Sequence, residues 1–244
     1  MVRLVHYILS HPGKRKSNED SVFPEHVNGV GARSFIVCDG VGGHRNGEIA
    51  SGIVSREVGQ RLVMHEAPGE REILEAIDHA EKKLAEHSDD FPDCKGMAST
   101  LVGFHPIDDE KGYAYWVGDS RLYHIRNSEI VFKTKDHSLV QMMVDSGEMT
   151  EAEALSSRSK NVIMQAINDG RRKAEPEIAL LEDLREGDYI LLLSDGILEG
   201  CTEDDLILHL NSNPLKEAVT EIRKKCEVHS NDNFSLIAIE IHHA

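Results

Sequence analysis

The hydrophobic positions of this chain form short apolar runs and two longer stripes with helical spacing. Runs without polar interruption are typical of strands that are covered on both faces. The runs at 112–117 and 121–126 flank a Gly-Asp-Ser triplet, which predicts a hairpin between them. Strands are also predicted at residues 34–38, 99–104, 189–193 and 234–241.

The two stripes recur at every third or fourth position, as one face of a helix does. The first runs from Ile49 to Val63 and the second from Ile73 to Leu84, with an Ala-Pro-Gly break at 67–69 between them. Strands and helices are grouped along the chain rather than alternating one by one, which favours an α+β fold with antiparallel sheets. Shorter helices are predicted at 138–147, 150–155 and 214–226.

Domain organisation follows from the absence of separators in the sequence. No long linker, low-complexity tract or solenoid-period repeat interrupts residues 1–244, which predicts one domain. Residues 145–176 are rich in polar residues and carry few large apolar ones before Val162, so we expect a surface flap there. His137 directly precedes the helix predicted at 138–147 and is expected to cap and orient it.

Charge and cysteine content narrow the possible functions. Against 27 Lys and Arg there are 43 Asp and Glu, and the net charge of −16 disfavours a nucleic-acid partner. Solubility explains most of this charge, whereas a few Asp-Gly positions are compatible with a carboxylate cluster. The four cysteines lack metal-ligand or paired spacing, and no apolar run is long enough for membrane insertion. A reduced, cytoplasmic protein is therefore expected.

One aspartate, Asp39, directly follows the first apolar run and is itself followed by Gly40. A carboxylate at the end of a buried strand is costly unless it is paired or bound to a cation. Glycine lets the backbone turn sharply and approach a ligand closely, and Gly42, Gly43 and Gly47 leave the next loop almost without side chains. Taken alone, the pair also fits a strand-to-helix turn capped by aspartate, and both interpretations stand.

The same pattern recurs elsewhere, which favours a shared site. Asp195 and Gly196 follow a second apolar run, Asp119 ends a third strand, and Asp232 precedes the last one. Such residues can converge at one sheet edge, and oxygen ligands without accompanying His or Cys favour Mg²⁺ or Mn²⁺ over zinc. Two such ions about 3.5–4 Å apart can share one water, lower its pKa and align it with a phosphorus atom. The pattern predicts a divalent-metal site that hydrolyses phosphate esters.

Seven segments carry a family resemblance across roughly residues 10–240. They are 15–20 (RKSNED), 37–51 (VCDGVGGHRNGEIAS), 96–100 (GMAST), 117–123 (VGDSRLY), 136–140 (DHSLV), 187–196 (GDYILLLSDG) and 232–233 (DN). In this order they resemble the metal-dependent PPM (PP2C-like) serine/threonine protein phosphatases in their compact bacterial form. The resemblance implies a four-layer α-β-β-α sandwich with two central antiparallel sheets.

The resemblance also implies roles for the two Asp-Gly pairs and for the last aspartate. Asp39 would bridge two Mn²⁺ or Mg²⁺ ions, and the backbone carbonyl of Gly40 would bind one of them. Asp195 and Asp232 would hold the other ion. Loss of Asp39 would therefore remove both ions together.

Four further residues receive roles from the resemblance. Glu19 and Asp20 would act near the second metal, partly through water, and Asp119 would help to bind a third, weaker metal. Arg15 would grip two phosphoryl oxygens with its guanidinium fork. Outside the motif, Arg15 would pass for part of a solvated basic turn with Lys14 and Lys16.

The implied activity is hydrolysis of phosphoserine and phosphothreonine on proteins by direct attack of a metal-activated water, without a phospho-enzyme. Expected partners are phosphorylated proteins, including a Ser/Thr kinase, and the chain is expected to act as a monomer. Two other interpretations are a catalytically silent module that keeps the fold for docking, and a phosphatase of a small phosphate ester. All metal-binding aspartates are present, which argues against the silent module.

Some positions depart from the family pattern. Val41 stands where some members carry a histidine that could protonate the leaving alcohol, and we do not transfer that role to His44. The usual Gly-Thr-Thr is Ala-Ser-Thr at 98–100, and the usual Ala-Leu-Gly is Ala-Ile-Asn-Asp-Gly at 166–170. These departures, with those at 156–162, put substrate selection in doubt but leave the metal set intact.

Overall fold

The strongest hydrophobic patterns become the elements that they predict. The computed structural model describes residues 3–25, 29–30, 32–41, 46–65, 67–157 and 159–242. Gly42, Gly43 and His44 of the glycine-rich loop and Arg158 of the expected flap lie outside the described residues.

The described part of the chain forms thirteen strands and seven α-helices. The strands are β1 (Arg3–His11), β2 (Asp20–Phe23), β3 (Gly29–Val30), β4 (Phe35–Val41), β5 (Ala98–Ser99), β6 (Leu101–Pro106), β7 (Gly112–Val117), β8 (Arg121–Arg126), β9 (Glu129–Lys133), β10 (Ile167–Asn168), β11 (Glu177–Leu181), β12 (Tyr189–Leu193) and β13 (Phe234–His242). The helices are α1 (Gly47–Val63), α2 (Glu70–Asp90), α3 (Leu139–Asp145), α4 (Glu151–Ser156), α5 (Asp195–Gly200), α6 (Glu203–Ser212) and α7 (Leu215–His229). None of these helices is both long and apolar enough to cross a membrane.

The strands form two sheets whose described pairings are all antiparallel. The first sheet has the order β3-β1-β13-β12-β8-β9. The second has the order β10-β5-β4-β6-β7-β11, and β2 pairs with β4. The predicted hairpin at 112–126 instead joins the sheets, because β7 belongs to the second and β8 to the first.

Side-chain alternation along β4 shows why its apolar run is continuous. Val37 packs with Leu192 and Ile237 between the two sheets, whereas Ile36 packs with Val54 under the first two helices. A strand covered on both faces needs apolar residues at every position. On the far side, α5, α6 and α7 cover the first sheet through another apolar cluster. The predicted four-layer α-β-β-α sandwich is therefore confirmed.

The strand β1 and the helix α6 are examples of elements that the hydrophobic pattern does not predict. The strand β1 pairs with β13 along its whole length, but His6 and Ser10 interrupt its apolar run. The helix α6 is short, and its start has a capping box in which Thr202 and Asp205 bond each other reciprocally. Neither is among the predicted elements.

The prediction that His137 caps the following helix is wrong. Ser138 is the N-cap of α3, and its Oγ accepts a hydrogen bond of 3.3 Å from the Gln141 N–H. The His137 imidazole instead lies 3.0 Å from Oε1 of Glu177 in β11, so it links the start of this segment to the sheet. Within 145–176, Ile167 and Ala174 are buried against the first two helices and anchor a segment whose other described residues are half-buried or exposed.

Asp188 is the hub of a buried ionic network that joins β8 to the turn before β12. Its carboxylate accepts bonds of 2.8 and 2.7 Å from the Arg126 guanidinium and lies 2.7 Å from Nε2 of His124. Removing one partner from a buried ionic network leaves the others unpaired in a low dielectric. We expect Asp188→Asn to lower the free energy of unfolding by about 3 kcal/mol.

The matched control is Asp183→Asn, because Asp183 pairs with Arg126 and Arg185 at an exposed site. Exposed pairs contribute little, so this variant is expected to lose less than about 1 kcal/mol. Urea unfolding of both variants measures the difference. Equal losses would show that the buried network contributes no more than its exposed edge.

Candidate metal centre

Five aspartates from distant parts of the chain meet at one end of the two sheets. Asp20 and Asp39 are directly opposed across the β2–β4 pair, an arrangement that is unfavourable for two like charges. The pKa of Asp39 lies well above its usual range because of burial and of repulsion by four other carboxylates. These four belong to Asp20, Asp195, Asp119 and Asp232.

Hydroxyl groups hold the backbone of Asp39 in place. Its N–H donates to Oγ1 of Thr100 at 2.9 Å, and its carbonyl oxygen accepts from the Thr100 N–H at 2.8 Å. The Ser99 hydroxyl donates to the same carbonyl at 3.1 Å, and the Thr100 hydroxyl lies 2.7 Å from Oγ of Ser120. The Ala-Ser-Thr variant of the motif thus keeps hydroxyls beneath the aspartate.

Gly40 and Gly47 make room for two oxygen atoms. A Cβ on Gly40 would overlap the backbone of Gly47. A Cβ on Gly47 would lie 2.6 Å from Oε2 of Glu19 and 3.0 Å from the Gly40 carbonyl oxygen. A carboxylate oxygen and a backbone oxygen therefore border the same small space, which only glycine leaves open. These are the oxygen types that a hard divalent cation prefers.

Asp195 begins α5 and approaches the β13 end of the site. A Cβ on Gly196 would overlap the carbonyl oxygen of Asn233, so glycine alone permits this approach. Burial, and after it repulsion by Asp232, raises the pKa of Asp195 to about 6. The Asp195 carboxyl also interacts with that of Asp39, whose pKa it helps to raise by like-charge repulsion.

The Gly196 contact gives a direct test of this geometry. We expect Gly196→Ala to push α5 away from Asn233 and to lower the free energy of unfolding by about 1–3 kcal/mol. Manganese affinity is expected to fall as well, because Asp195 moves with the helix. Gly52→Ala in α1 is the control, since its Cβ would meet nothing within 4 Å. Titration with Mn²⁺ and urea unfolding measure both effects, and unchanged Mn²⁺ affinity in Gly196→Ala would contradict the close approach.

Unpaired buried oxygens indicate what the cluster requires. Among the described residues, Oδ1 of Asp20, Asp119 and Asp195 is buried without a hydrogen-bond partner. Burial raises the pKa of both Asp20 and Asp119 to about 7. Buried carboxylate oxygens are costly unless protons or cations satisfy them. The donor set contains only oxygen atoms, so it fits Mg²⁺ or Mn²⁺.

The carboxylates do not by themselves form a complete metal coordination shell. Across the described ranges, no three Asp, Glu, His or Cys side chains are already gathered as a metal-binding group. Two of them have other partners, since Oδ2 of Asp20 accepts from Ser194 and Oδ2 of Asp232 accepts from Arg15, each at 2.7 Å. Waters and the Gly40 carbonyl would have to complete the coordination, as is usual for Mg²⁺.

Arg15 lies at the exposed rim of the site. Its guanidinium is bonded to Asp232, so the structure pairs the residue expected to grip phosphate with one expected to bind metal. Glu19 lies at the same rim, and its pKa is raised by burial and by Glu48, although Arg15 lowers it. A positive and several negative groups thus share one opening.

The aspartate expected at a third site lies on the turn between β7 and β8. Gly118 has a φ of +103° there, a conformation that glycine adopts without strain. Arg121 holds the turn through two bonds of 2.7 Å to Asp136. Burial, and after it repulsion by Asp195, raises the pKa of Asp119.

Asn233 is a positioning residue to which the sequence analysis gave no role. Its side-chain amide donates to the carbonyls of Pro12 and Ser17, each at 2.8 Å, and its Oδ1 accepts the Glu19 N–H at 2.9 Å. These bonds tie the loop that carries Arg15 and Glu19 to the end of β13. In the sequence, the only indication of this role was the position of Asn233 directly after the candidate metal ligand Asp232.

Comparison with known proteins agrees with this arrangement. The model of the protein phosphatase 2C family matches residues 9–231. Protein phosphatase PhpP of Streptococcus pneumoniae is 33% identical over 194 residues, which cover 78% of this chain and 77% of PhpP.

Solved structures give the same result. The serine/threonine phosphatase PstP/Ppp of Mycobacterium tuberculosis superposes with a TM-score of 0.89 at 28% identity, covering 99% of this chain and 100% of that chain. A structure of the PstP catalytic domain in complex with two manganese ions superposes with a TM-score of 0.84 at 27% identity, with 100% of each chain covered. The family match spans most of the sequence and all the aspartates of the cluster except Asp232, which follows it directly. This chain belongs to the protein phosphatase 2C family.

Proposed function

We propose that the aspartate cluster dephosphorylates phosphoserine and phosphothreonine on proteins with the help of two Mn²⁺ or Mg²⁺ ions. The observation that supports this most strongly is the crowding of four carboxylates around Asp39 at one end of the sheets. When bound, the ions supply a water of lowered pKa and neutralise the charge of the phosphoryl oxygens. The relatives named as protein serine/threonine phosphatases support a phosphoprotein substrate.

Each acidic residue has a proposed part in holding the ions. Asp39 lies among the others and would help to hold both ions. Glu19 and the Gly40 carbonyl border one small space and would hold an ion there, whereas Asp195 and Asp232 would hold the other. Asp20 accepts a hydrogen bond from Ser194 through Oδ2, which leaves Oδ1 free for an ion or its water.

Arg15 is proposed to bind the substrate phosphate. It is exposed at the rim, and its guanidinium carries a fixed charge that can bond two phosphoryl oxygens at once. A cation held by Asp232 would compete with Arg15 for Oδ2 and would leave that end of the guanidinium available to phosphate. Asp119, whose buried Oδ1 has no hydrogen-bond partner, is proposed to hold a third, weaker ion.

The surroundings favour direct attack by water over a covalent intermediate. All four cysteines are free and buried, and burial raises the pKa of the Cys38 thiol, next to Asp39, well above its usual range. A buried neutral thiol is a poor nucleophile. The hydroxyls of Thr100 and Ser120 bond each other, and no imidazole bonds either of them in the described structure.

The wider setting is also a proposal. We propose that residues 1–244 act as one catalytic domain, with 145–176 as a flap, in a monomeric cytoplasmic protein. Its partners would be phosphorylated proteins, including a Ser/Thr kinase. The strongly acidic charge supports a protein rather than a nucleic acid as substrate.

Phosphate release from two substrates tests the proposed activity. With Mn²⁺, we expect release from a phosphothreonine peptide and slower turnover of p-nitrophenyl phosphate, and excess EDTA is expected to abolish both. Full activity in EDTA would contradict the metal mechanism. Turnover of p-nitrophenyl phosphate alone would favour a small phosphate ester as substrate, and no turnover with bound Mn²⁺ would favour a silent binding module.

A further inference from the structure

We propose that a basic groove beside the metal centre binds an acidic residue that flanks the phosphorylated residue of the substrate. The groove would make the enzyme select phosphosites in acidic sequences. This inference rests on the function proposed above, because it concerns the same substrate. The occupant is a peptide segment with an Asp or Glu carboxylate close to the phosphate.

The groove is a cavity of about 250 Å³ with an unusual charge for this chain. Small-molecule sites typically measure roughly 300–1,000 Å³, so this volume suits a side chain better than a metabolite. No carboxylate of the described residues lines it, although acidic residues outnumber basic ones by 43 to 27 in the whole chain. The lining residues that matter here are Val41, Asn168, Arg171, Arg172 and Lys173.

The strand register places this groove next to the metal centre. Val41 lies two residues after Asp39 and opposes Ala98 in β5, which in turn opposes Asn168 in β10. Neighbouring strands lie about 4.8 Å apart, so Asn168 is roughly 10 Å from Val41 across the sheet. An extended peptide covers roughly 3.3 Å per residue. When the phosphorylated residue of an extended substrate peptide lies at Asp39, the peptide residues two to four positions away therefore lie over the groove.

Two of the three cations are already partly neutralised. Nε of Arg171 donates to Asp169 at 2.7 Å, and Asp169 also accepts the Gly96 N–H at 2.8 Å. This pair fastens the turn after β10 to the loop before β5. Lys173 lies 3.3 Å from Asp78, and both side chains are exposed, so this pair is weak.

Arg172 is the cation that remains available. Asn168 fixes its backbone from both sides, because Oδ1 accepts the Arg172 N–H and Nδ2 donates to the Arg172 carbonyl. Its side chain is exposed, and in the described part of the chain its guanidinium has neither an ion pair nor a hydrogen bond. The fixed backbone holds Arg172 at the groove, where its free guanidinium can bond a carboxylate through two parallel N–H donors.

The test compares two phosphothreonine peptides that differ only in Glu or Gln at positions two to four residues from the phosphothreonine. We expect the wild type to prefer the Glu peptide about three- to fivefold in kcat/KM, the range expected of an exposed charge pair. In Arg172→Gln this preference is expected to fall to about one. Arg223→Gln, an exposed arginine of α7 on the opposite layer, is expected to keep it. Added NaCl is expected to weaken the wild-type preference.

The possible outcomes separate the two proposals. Phosphate release without any preference for Glu, or a preference that survives in Arg172→Gln, would overturn the role of the groove while leaving the phosphatase proposal intact. Absence of release from both peptides and from p-nitrophenyl phosphate with Mn²⁺ would overturn the phosphatase proposal itself, and the groove proposal with it. Loss of the preference only in Arg172→Gln supports the assignment.

Discussion

Replacing Asp39 with asparagine is expected to lower phosphate release from a phosphothreonine peptide by at least about 10³-fold. Burial and repulsion by all four other aspartates raise the pKa of Asp39, which is why we propose that this residue helps to hold both ions. Losing the metals removes several kcal/mol of transition-state stabilisation, and each 1.36 kcal/mol corresponds to about tenfold in rate. Initial rates with saturating Mn²⁺ measure the effect.

The same substitution is expected to raise the stability of the metal-free protein. Burial and like-charge repulsion raise the pKa of Asp39, so its ionised form destabilises the folded state at pH 8. Asparagine has nearly the same shape without the charge. Urea unfolding in EDTA at pH 8 is expected to show a higher midpoint for Asp39→Asn than for the wild type.

The control is Asp145→Asn, which removes an exposed carboxylate far from the cluster in sequence. It is expected to change neither the rate nor the metal-free midpoint by more than a small amount. If Asp39→Asn lost activity and also became less stable in EDTA, the residue would contribute mainly to the fold. Opposite changes in activity and stability indicate a residue kept for a bound cation.

The second large effect is on how metal-free stability depends on pH. Burial raises the pKa of Asp20 and Asp119 to about 7 and that of Asp195 to about 6, above the ordinary value of 3.8. Between the unfolded and the folded pKa values, the folded state binds more protons, so stability falls as the pH rises. In EDTA, the melting temperature is expected to be higher at pH 5 than at pH 8 by at least about 5 °C.

Saturating Mn²⁺ is expected to reverse this trend. Metal binds the deprotonated carboxylates, so the stabilisation that it confers grows as the pH rises. Melting curves at pH 5, 6, 7 and 8 in EDTA and in Mn²⁺ measure both trends. Parallel curves in the two conditions would contradict a metal site at these carboxylates.

The fold was predictable wherever a single segment carried the whole signal. The runs at 35–38 of β4 and 189–193 of β12 are continuous because both faces of each strand are covered. The strand β1 was not predictable in this way, because it owes its place to nine paired positions along β13 at the other end of the chain. Local patterns carry no record of such distant pairing.

The residues of the site also differ in how far the sequence predicts them. Aspartates after apolar runs can be recognised because a charge at a buried strand end is costly unless it is paired or bound to a cation. The positioning roles of Thr100, Ser194 and Asn233 do not follow from local patterns, since these residue types are common on any surface, although all three lie in the segments that carry the family resemblance. The pairing of Arg15 with Asp232 joins positions 217 residues apart, and only the folded chain shows that these two residues are hydrogen-bonded.

The most direct test counts bound Mn²⁺ by equilibrium dialysis in the wild type and in Asp39→Asn, with phosphate release measured on the same samples. We expect at least two ions per wild-type chain, and in the variant the loss of both together with the activity. A variant that keeps one tightly bound ion and a substantial part of the activity would contradict a shared site centred on Asp39.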